Sequence, residues 1–384
     1  MLKYTINYHD FTQNIVDILE YHFHKDTQEV FESSALLGYL NHKTKSANRG
    51  SKARGAFANH YALYVLIEDY IEKGFFGNQS QIAYDKYEGA KFTDLFKRQR
   101  ELPFGAKLQN HALNSRLNDE FKKFYPSVGK VPIIRDVETQ RYWIQEDLLI
   151  VLINKKKYNI AQAILDIIDA YVASKKSAFE SFITACNEIA SLEDKDLTSA
   201  KDFIFSQLQP HVDARIFEIV SYAILKAKYG KETIWIGKTK ESVVENYLQL
   251  YKTGRTNAND GGIDFVMKPL GRFFQVTETV DVNKYFLDIE KVQRFPMTFV
   301  IKSIEKHDDI LEKIRLQAKD RYKIDKVVDS YIAAIEELIT VNELTIYFSE
   351  LVELGALSKI MKEIILQSKV EFNYHDDDDQ SEAE

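Results

Sequence analysis

A carboxylate and an amide oxygen that face each other across a tight hairpin can share one hard cation, because Mg²⁺ and Ca²⁺ take oxygen donors. Residues 257–278, NANDGGIDFVMKPLGRFFQVTE, carry the pattern for such a site. Gly261 and Gly262 let the backbone enter tightly, residues 263–267 predict a first strand, Pro269-Leu270-Gly271 turns the chain, and residues 273–279 predict its return. With Pro269-Leu270 as the two-residue turn, Asp264 falls opposite Gln275. The period of two along a strand then puts Asp264 and Val266 on one face with Phe273, Gln275 and Thr277. Asp264 is the expected main ligand, and the Gln275 carbonyl adds a second oxygen without adding charge. The competing readings are a turn aspartate bonded to its own backbone and a strand glutamine satisfied by a neighbour.

The Gly262-Ile263-Asp264 turn, the hairpin and Gln275-Val276 resemble the PD-(D/E)XK nuclease superfamily, the fold of most Type II restriction endonucleases and of the Mrr-like enzymes, over roughly residues 218–301. In the Mrr-like branch the returning strand reads Gln-x-Lys; here Thr277 stands at the lysine position. The resemblance implies that the lysine's role, orienting the attacking water, has moved or is lost. Lys284 on the following segment is the preferred candidate, ahead of Lys268 at the hairpin and of Glu278 as a carboxylate substitute. Members of this superfamily often add a glutamate from a helix upstream of the hairpin, which points to Glu218. Its apolar neighbours Phe217, Ile219, Val220 and Tyr222 bury it, and a buried carboxylate needs a metal, a cation or hydrogen bonds. An ion pair with Arg215 or Lys226 meets that need equally well. The implied catalytic set is therefore Asp264, Gln275, Glu218, Thr277 and Lys284, with Mg²⁺ held by Asp264, Gln275 and Glu218.

The elements that must position these groups come late in a chain of 384 residues, long enough for two domains. Helical spacing dominates the earlier part, at residues 11–40, 56–73, 105–124, 160–173 and 177–191, with strands expected at 131–137 and 142–153. From about residue 212 the expected order is helix (215–229), strand (233–236), helix (242–253), hairpin, helix (282–294) and strand (297–302). That alternation argues for a mixed sheet with helices against it, the succession found in nuclease cores of the resembled family. Residues 304–366 read as helical again. The expected fold class is α+β, with a restriction-endonuclease-like core and a mixed sheet flanked by helices, behind a mainly helical region. The expected domains are a helical DNA-recognition region at 1–200, the core at 201–303, helices packing on the core or on a second subunit at 304–374, and a disordered acidic tail at 375–384.

A net charge of −7 argues at first against a polyanionic partner. Asp376, Asp377, Asp378, Asp379, Glu382 and Glu384 account for nearly all of it, and an almost neutral body can hold a local basic cleft. Arg49, Lys52 and Arg54, in a glycine- and serine-containing stretch without acids, and Lys97, Arg98 and Arg100 are the candidate phosphate contacts. On the 105–124 segment Lys107, His111, Asn114 and Asn118 recur at helical spacing, with Asn110 alongside, and such side chains can read base edges. A solvated helix face explains the same residues. The one cysteine, Cys186, excludes an intrachain disulfide and a cysteine zinc site. No phosphate-binding Gly-x-x-x-x-Gly-Lys loop and no run of apolar residues long enough to cross a membrane occurs. The expectation is a prokaryotic, cytoplasmic, Mg²⁺-dependent Type II restriction endonuclease acting on double-stranded DNA in phage defence. It would act as a homodimer on a palindromic site and beside a separately encoded methyltransferase. The alternatives are a DNA-binding protein that kept the fold and lost turnover, or a repair or RNA nuclease on the same core.

Overall fold

The computed structural model describes residues 3–45, 53–77, 79–106, 108–191, 197–210, 212–253 and 263–372. They fall into two compact units, Met1–Ser181 with Phe372–Glu384 and Phe182–Glu371, each built on its own core. The tail expected at 375–384 lies outside the described residues. Among those residues no helix is long and apolar enough to cross a membrane.

The first unit is mainly helical: α1 (Thr12–Phe23), α2 (Thr27–Ser33), α3 (Ala35–Thr44), α4 (Ala53–Glu72), α5 (Phe92–Glu101), α6 (Leu117–Phe124), the one-turn α7 (Glu146–Leu149) and most of α8 (Ala161–Ser191). The segment 11–40, expected as one helical stretch, breaks where the Ser34 hydroxyl caps α3 by accepting from the Leu37 N–H at 3.2 Å. Two helices expected at 160–173 and 177–191 are one, because Ser174–Ser177 contain no residue that stops a helix. Short strands β1 (Ala90–Lys91), β2 (Ile133–Asp136) and β3 (Arg141–Ile144) make one small sheet, and β4 (Ile150–Ile153) and β5 (Lys156–Asn159) a hairpin. The 142–153 strand is thus two strands with α7 between them. Tyr39, Tyr61, Tyr70, Phe121 and Tyr171 lie in the buried centre.

The second unit holds α9 (Leu197–Gln207), α10 (Ala214–Tyr229), β6 (Thr233–Ile236), β7 (Val244–Tyr247), β8 (Gln249–Lys252), β9 (Phe265–Lys268), β10 (Arg272–Thr277), α11 (Val282–Lys291), β11 (Met297–Ile301), α12 (His307–Tyr322), α13 (Asp325–Ile332), β12 (Ile335–Ile339), α14 (Val341–Glu353) and α15 (Leu357–Phe372). Its sheet runs β12-β11-β10-β9-β8, with β8, β9 and β10 antiparallel in turn and β10, β11 and β12 parallel. This is an α+β fold with a mixed sheet flanked by helices. Phe265 and Phe274 face α10, touching Tyr222 and Tyr229 with ring centroids 5.1 and 5.9 Å apart. Met297, Phe299 and Ile301 face the other way, into a core with Tyr285, Phe286 and Ile289 of α11, Ile310 and Ile314 of α12 and Val328 of α13. β11 is buried on both faces, as parallel strands are.

Two expectations are overturned. Residues 242–253 form β7 and β8 rather than a helix. Their apolar positions fit both periods, but β-branched Val243 and Val244 and the aromatic Tyr247 and Tyr251 suit a pleated surface, and Leu248 and Leu250 bury at a spacing of two. Residues 304–366 are not helical throughout, since β12 extends the sheet.

Candidate active site

The hairpin register pairs Met267 with Arg272, Val266 with Phe273 and Phe265 with Phe274, so one further step sets Asp264 opposite Gln275. Asp264 lies just before β9 and is pinned by its main chain, its N–H donating to Phe274 O at 2.9 Å and its carbonyl accepting from the Thr253 N–H at 2.9 Å. Its carboxylate takes the place of a ladder carbonyl, Oδ2 accepting from the Val276 N–H at 2.8 Å. One oxygen is therefore fixed and the other is left to the site. Burial first, and then the negative charge of Glu218, push the Asp264 carboxyl up to about 7, against the opposing pull of the Val276 N–H, Arg215 and Lys284.

Gln275 is 8% exposed. Its Nε2 donates to Val276 O at 3.2 Å, while its Oε1 is buried and has no hydrogen-bond partner. A buried acceptor left unmade costs about 1–3 kcal/mol, so the strand glutamine is not merely satisfied by its neighbours. An orphaned amide oxygen on the residue one register step opposite a carboxylate is the donor chemistry a hard cation takes, so the residue types fit a divalent metal. Among the described residues no group of three or more His, Cys, Asp or Glu side chains could hold one. A cation here would need the amide as well as the carboxylate for that reason.

Lys284, in the first turn of α11, reaches the strand position where the resembled nucleases carry lysine: its Nζ donates to Thr277 Oγ1 at 3.3 Å. The Asp281 carboxylate starts that helix by accepting from the Asn283 N–H at 2.9 Å, which fixes where Lys284 emerges. The other two candidates are spent elsewhere. Glu278 pairs with the buried Lys302 at 3.1 Å, and Lys268 lies at the far end of β9 with its Nζ over the Tyr251 ring.

Glu218, on buried α10, is held from both sides, by Arg215 at 2.6 Å and Lys252 at 3.2 Å. Arg215 also approaches Glu371 at 3.6 Å. The ion-pair reading of Glu218 thus describes its geometry, with Arg215 but not Lys226, which pairs with Glu363 at 2.9 Å. Lys252 was missed because its segment read as a helix; as β8 it pairs with Phe265, next to Asp264. Lys302 was missed too, and nothing in the apolar run 297–301 signals that its ammonium turns inward to Val212 O and Glu278.

The candidate nucleic-acid contacts lie in the first unit. Arg49, Lys52 and Lys107 lie outside the described residues, as does the side chain of Arg54. Residues 105–124 are not one helix: a π-helical turn over Ala112–Arg116 precedes α6 and breaks the spacing on which a single reading face rested. Asn118 is turned inward, its Nδ2 donating to Ile133 O at 2.8 Å and its Oδ1 accepting from the Ile133 N–H at 3.0 Å. Asn114 Oδ1 accepts from the Tyr142 hydroxyl at 2.9 Å. Arg98 forks onto Glu68 at 2.8 and 2.7 Å, and Arg100 Nε donates to Ala106 O at 2.8 Å. Lys97 stands in solvent 3.9 Å from Glu101, and Asn110 is half-buried. Compared with known proteins, the chain matches no family model, no curated protein and no solved structure.

Proposed function

We propose that the second unit is the core of a Mg²⁺-dependent endodeoxyribonuclease of the PD-(D/E)XK type, acting as a Type II restriction enzyme on double-stranded DNA. The observation that carries this reading is the meeting of three groups at one end of the β9–β10 hairpin. They are a raised carboxyl at Asp264, an unpartnered buried oxygen on Gln275, and Lys284 arriving at Thr277 from another element. The order helix, antiparallel hairpin, crossover helix, parallel strand around them supports it further. Asp264 and the Gln275 carbonyl would hold the cation, which when bound makes water more acidic and offsets charge on a phosphate. Asp264 must give up its proton to bind, and the Val276 N–H keeps its free oxygen aimed. Lys284 holds a water or a phosphate oxygen by hydrogen bonding, with Thr277 fixing the direction of its ammonium.

Incubation of the purified protein with unmethylated phage DNA and Mg²⁺ tests the proposal. Discrete fragments support restriction and a smear supports a nonspecific nuclease. Cleavage by Asp264→Ala equal to wild type removes the site. The second reading, a DNA-binding protein without turnover, is favoured by one feature: Glu218, the second acid expected at the site, is held in ion pairs by Arg215 and Lys252. Binding of DNA without cleavage under Mg²⁺ and Mn²⁺ alike would select it.

A further inference from the structure

The first unit holds a cavity that the hairpin chemistry does not use. Residues 3–10 form no helix or strand, and two bonds lay them along α2 and α3. The Tyr4 N–H donates to Glu32 O at 2.7 Å, and the Asn41 side chain donates to Asn7 O at 2.9 Å. Between this segment, α3 and the end of α6 lies a space of about 510 Å³, within the range of sites for small organic molecules. Its walls are aromatic: Tyr4, Tyr8, His42, Phe124 and Tyr125. Tyr4 stands edge-on to Tyr125 with centroids 5.2 Å apart, and the His42 ring lies 4.0 Å from that of Phe124. Tyr8 and Phe124 remain open to solvent, at 64% and 39% exposure.

Charge narrows the choice of guest. Among the described residues no Asp or Glu lines the cavity, while Lys45 does. Lys45 has no ion-pair partner among the described residues, nor have Lys122 and Lys123 in the last turn of α6. Glu120 of that helix is taken by Lys43 at 2.7 Å and Arg116 at 3.1 Å. Burial, and then Lys43 and Lys45, pull the His42 imidazole below its ordinary 6.5, so near neutral pH it is an uncharged wall. Hydrogen bonding narrows the choice further. His9 is spent on Asn41 O and the Phe11 N–H, and Asn41 on the Thr12 hydroxyl and Asn7 O. The half-buried Tyr125 hydroxyl has no such partner among the described residues. Yet α3 gives up a side chain to seat it: a Cβ on Gly38 would collide with that oxygen, and glycine inside a helix is destabilising. Open rings, an unopposed ammonium and an unmade hydroxyl suit a ligand that carries a flat heterocycle and a phosphate. We propose that this cavity binds a single nucleotide, its base stacked on Tyr8 and Phe124, its phosphate on Lys45 and a polar edge against the Tyr125 hydroxyl. A base paired and stacked in a duplex cannot enter such a space, so a nucleotide that comes from a strand must first be unstacked.

The proposal does not depend on the Asp264 hairpin, and calorimetric titration of the full chain in EDTA tests it without hydrolysis. The probes are dAMP, dGMP, dCMP and dTMP, with deoxyribose 5-phosphate as the phosphate without a base and the matching deoxynucleoside as the base without a phosphate. At least one mononucleotide binds, about tenfold or more tighter than either fragment. Tyr8→Ala, at an exposed position, weakens binding at least about fivefold, the loss of one stacked base. Lys45→Glu weakens it at least about threefold, and more so at low salt. Melting temperatures equal to wild type keep both effects apart from misfolding. A single strand of mixed sequence then identifies the source. Displacement of the mononucleotide by the strand assigns the cavity to a base within a chain, and a strand that leaves it in place assigns the cavity to free nucleotides. No binding of any mononucleotide at millimolar concentration overturns the proposal, as does binding that deoxyribose 5-phosphate equals or that either substitution leaves unchanged.

Discussion

Replacing Asp264 by asparagine separates its part in folding from the metal binding proposed for it. The carboxyl titrates at about 7 instead of its ordinary 3.8, because burial and Glu218 oppose its charge. A folded-state value above the unfolded one means that the folded chain keeps a proton which the unfolded chain releases. The stability this gives is complete below about pH 3.8, falls as pH rises, and is gone above about pH 7. The gap corresponds to at most about 4 kcal/mol, of which about 2 kcal/mol falls between pH 5 and pH 8. Asparagine keeps the Val276 hydrogen bond through its Oδ1, offers Glu218 an N–H in place of a negative charge, and does not titrate. In EDTA, Asp264→Asn therefore melts higher than wild type at pH 8, and its advantage over pH 5 grows by roughly 4–8 °C for a unit of this size. Added Mg²⁺ raises the wild-type melting temperature at pH 8 and leaves the variant unchanged. Differential scanning calorimetry at the two pH values, with and without Mg²⁺, reads all four quantities. A variant less stable than wild type by the same amount at both pH values would show that no charge is being held in at this position.

Three further substitutions probe the neighbouring groups. Lys284→Met is expected to reduce DNA hydrolysis by at least about 10²-fold while Ca²⁺ binding measured by calorimetry stays within a few-fold, the pattern of a group that acts on the reacting water or phosphate. Gln275→Glu places a second carboxylate at the buried orphan oxygen. The metal-free protein is expected to melt lower at pH 8, with Mg²⁺ binding tighter than in wild type, and an unchanged Mg²⁺ affinity would take Gln275 out of the ligand set. Asn118→Ala is expected to lower stability by about 1–3 kcal/mol, since it leaves both the N–H and the C=O of Ile133 without their partners. Weakened DNA binding at unchanged melting temperature would instead restore Asn118 to a base-reading role.

What could be read from the chain, and what could not, follows from the range of the forces involved. The β9–β10 register was legible because it depends on a few adjacent residues: Pro269 and Gly271 fix a turn, and the period of two carries Asp264 to Gln275 without reference to the rest of the molecule. The five buried residues of β11 were legible too, as an apolar run of strand length behind Pro296. Residues 242–253 were not, because Val244, Tyr247, Leu248 and Tyr251 satisfy a helical period while the choice of strand is made by partners elsewhere in the chain, β6 for β7 and β9 for β8. That single misreading hid Lys252, and with it the second cation on Glu218. The basic and amide residues of the first unit mislead for a related reason. Arg98 and Asn118 look solvated by local spacing, yet each is held by a residue distant in sequence or in another element, Glu68 and Ile133, so their donors are already used. Lys284 is the opposite case: its place on the segment after the strand made it the candidate, and the crossing of α11 back over the sheet is what brings its ammonium to Thr277 Oγ1. A long side chain is constrained by the position of its charged end and not by the place of its backbone, which is why the gap at Thr277 and a lysine able to fill it were visible in the chain while their contact had to be found in space.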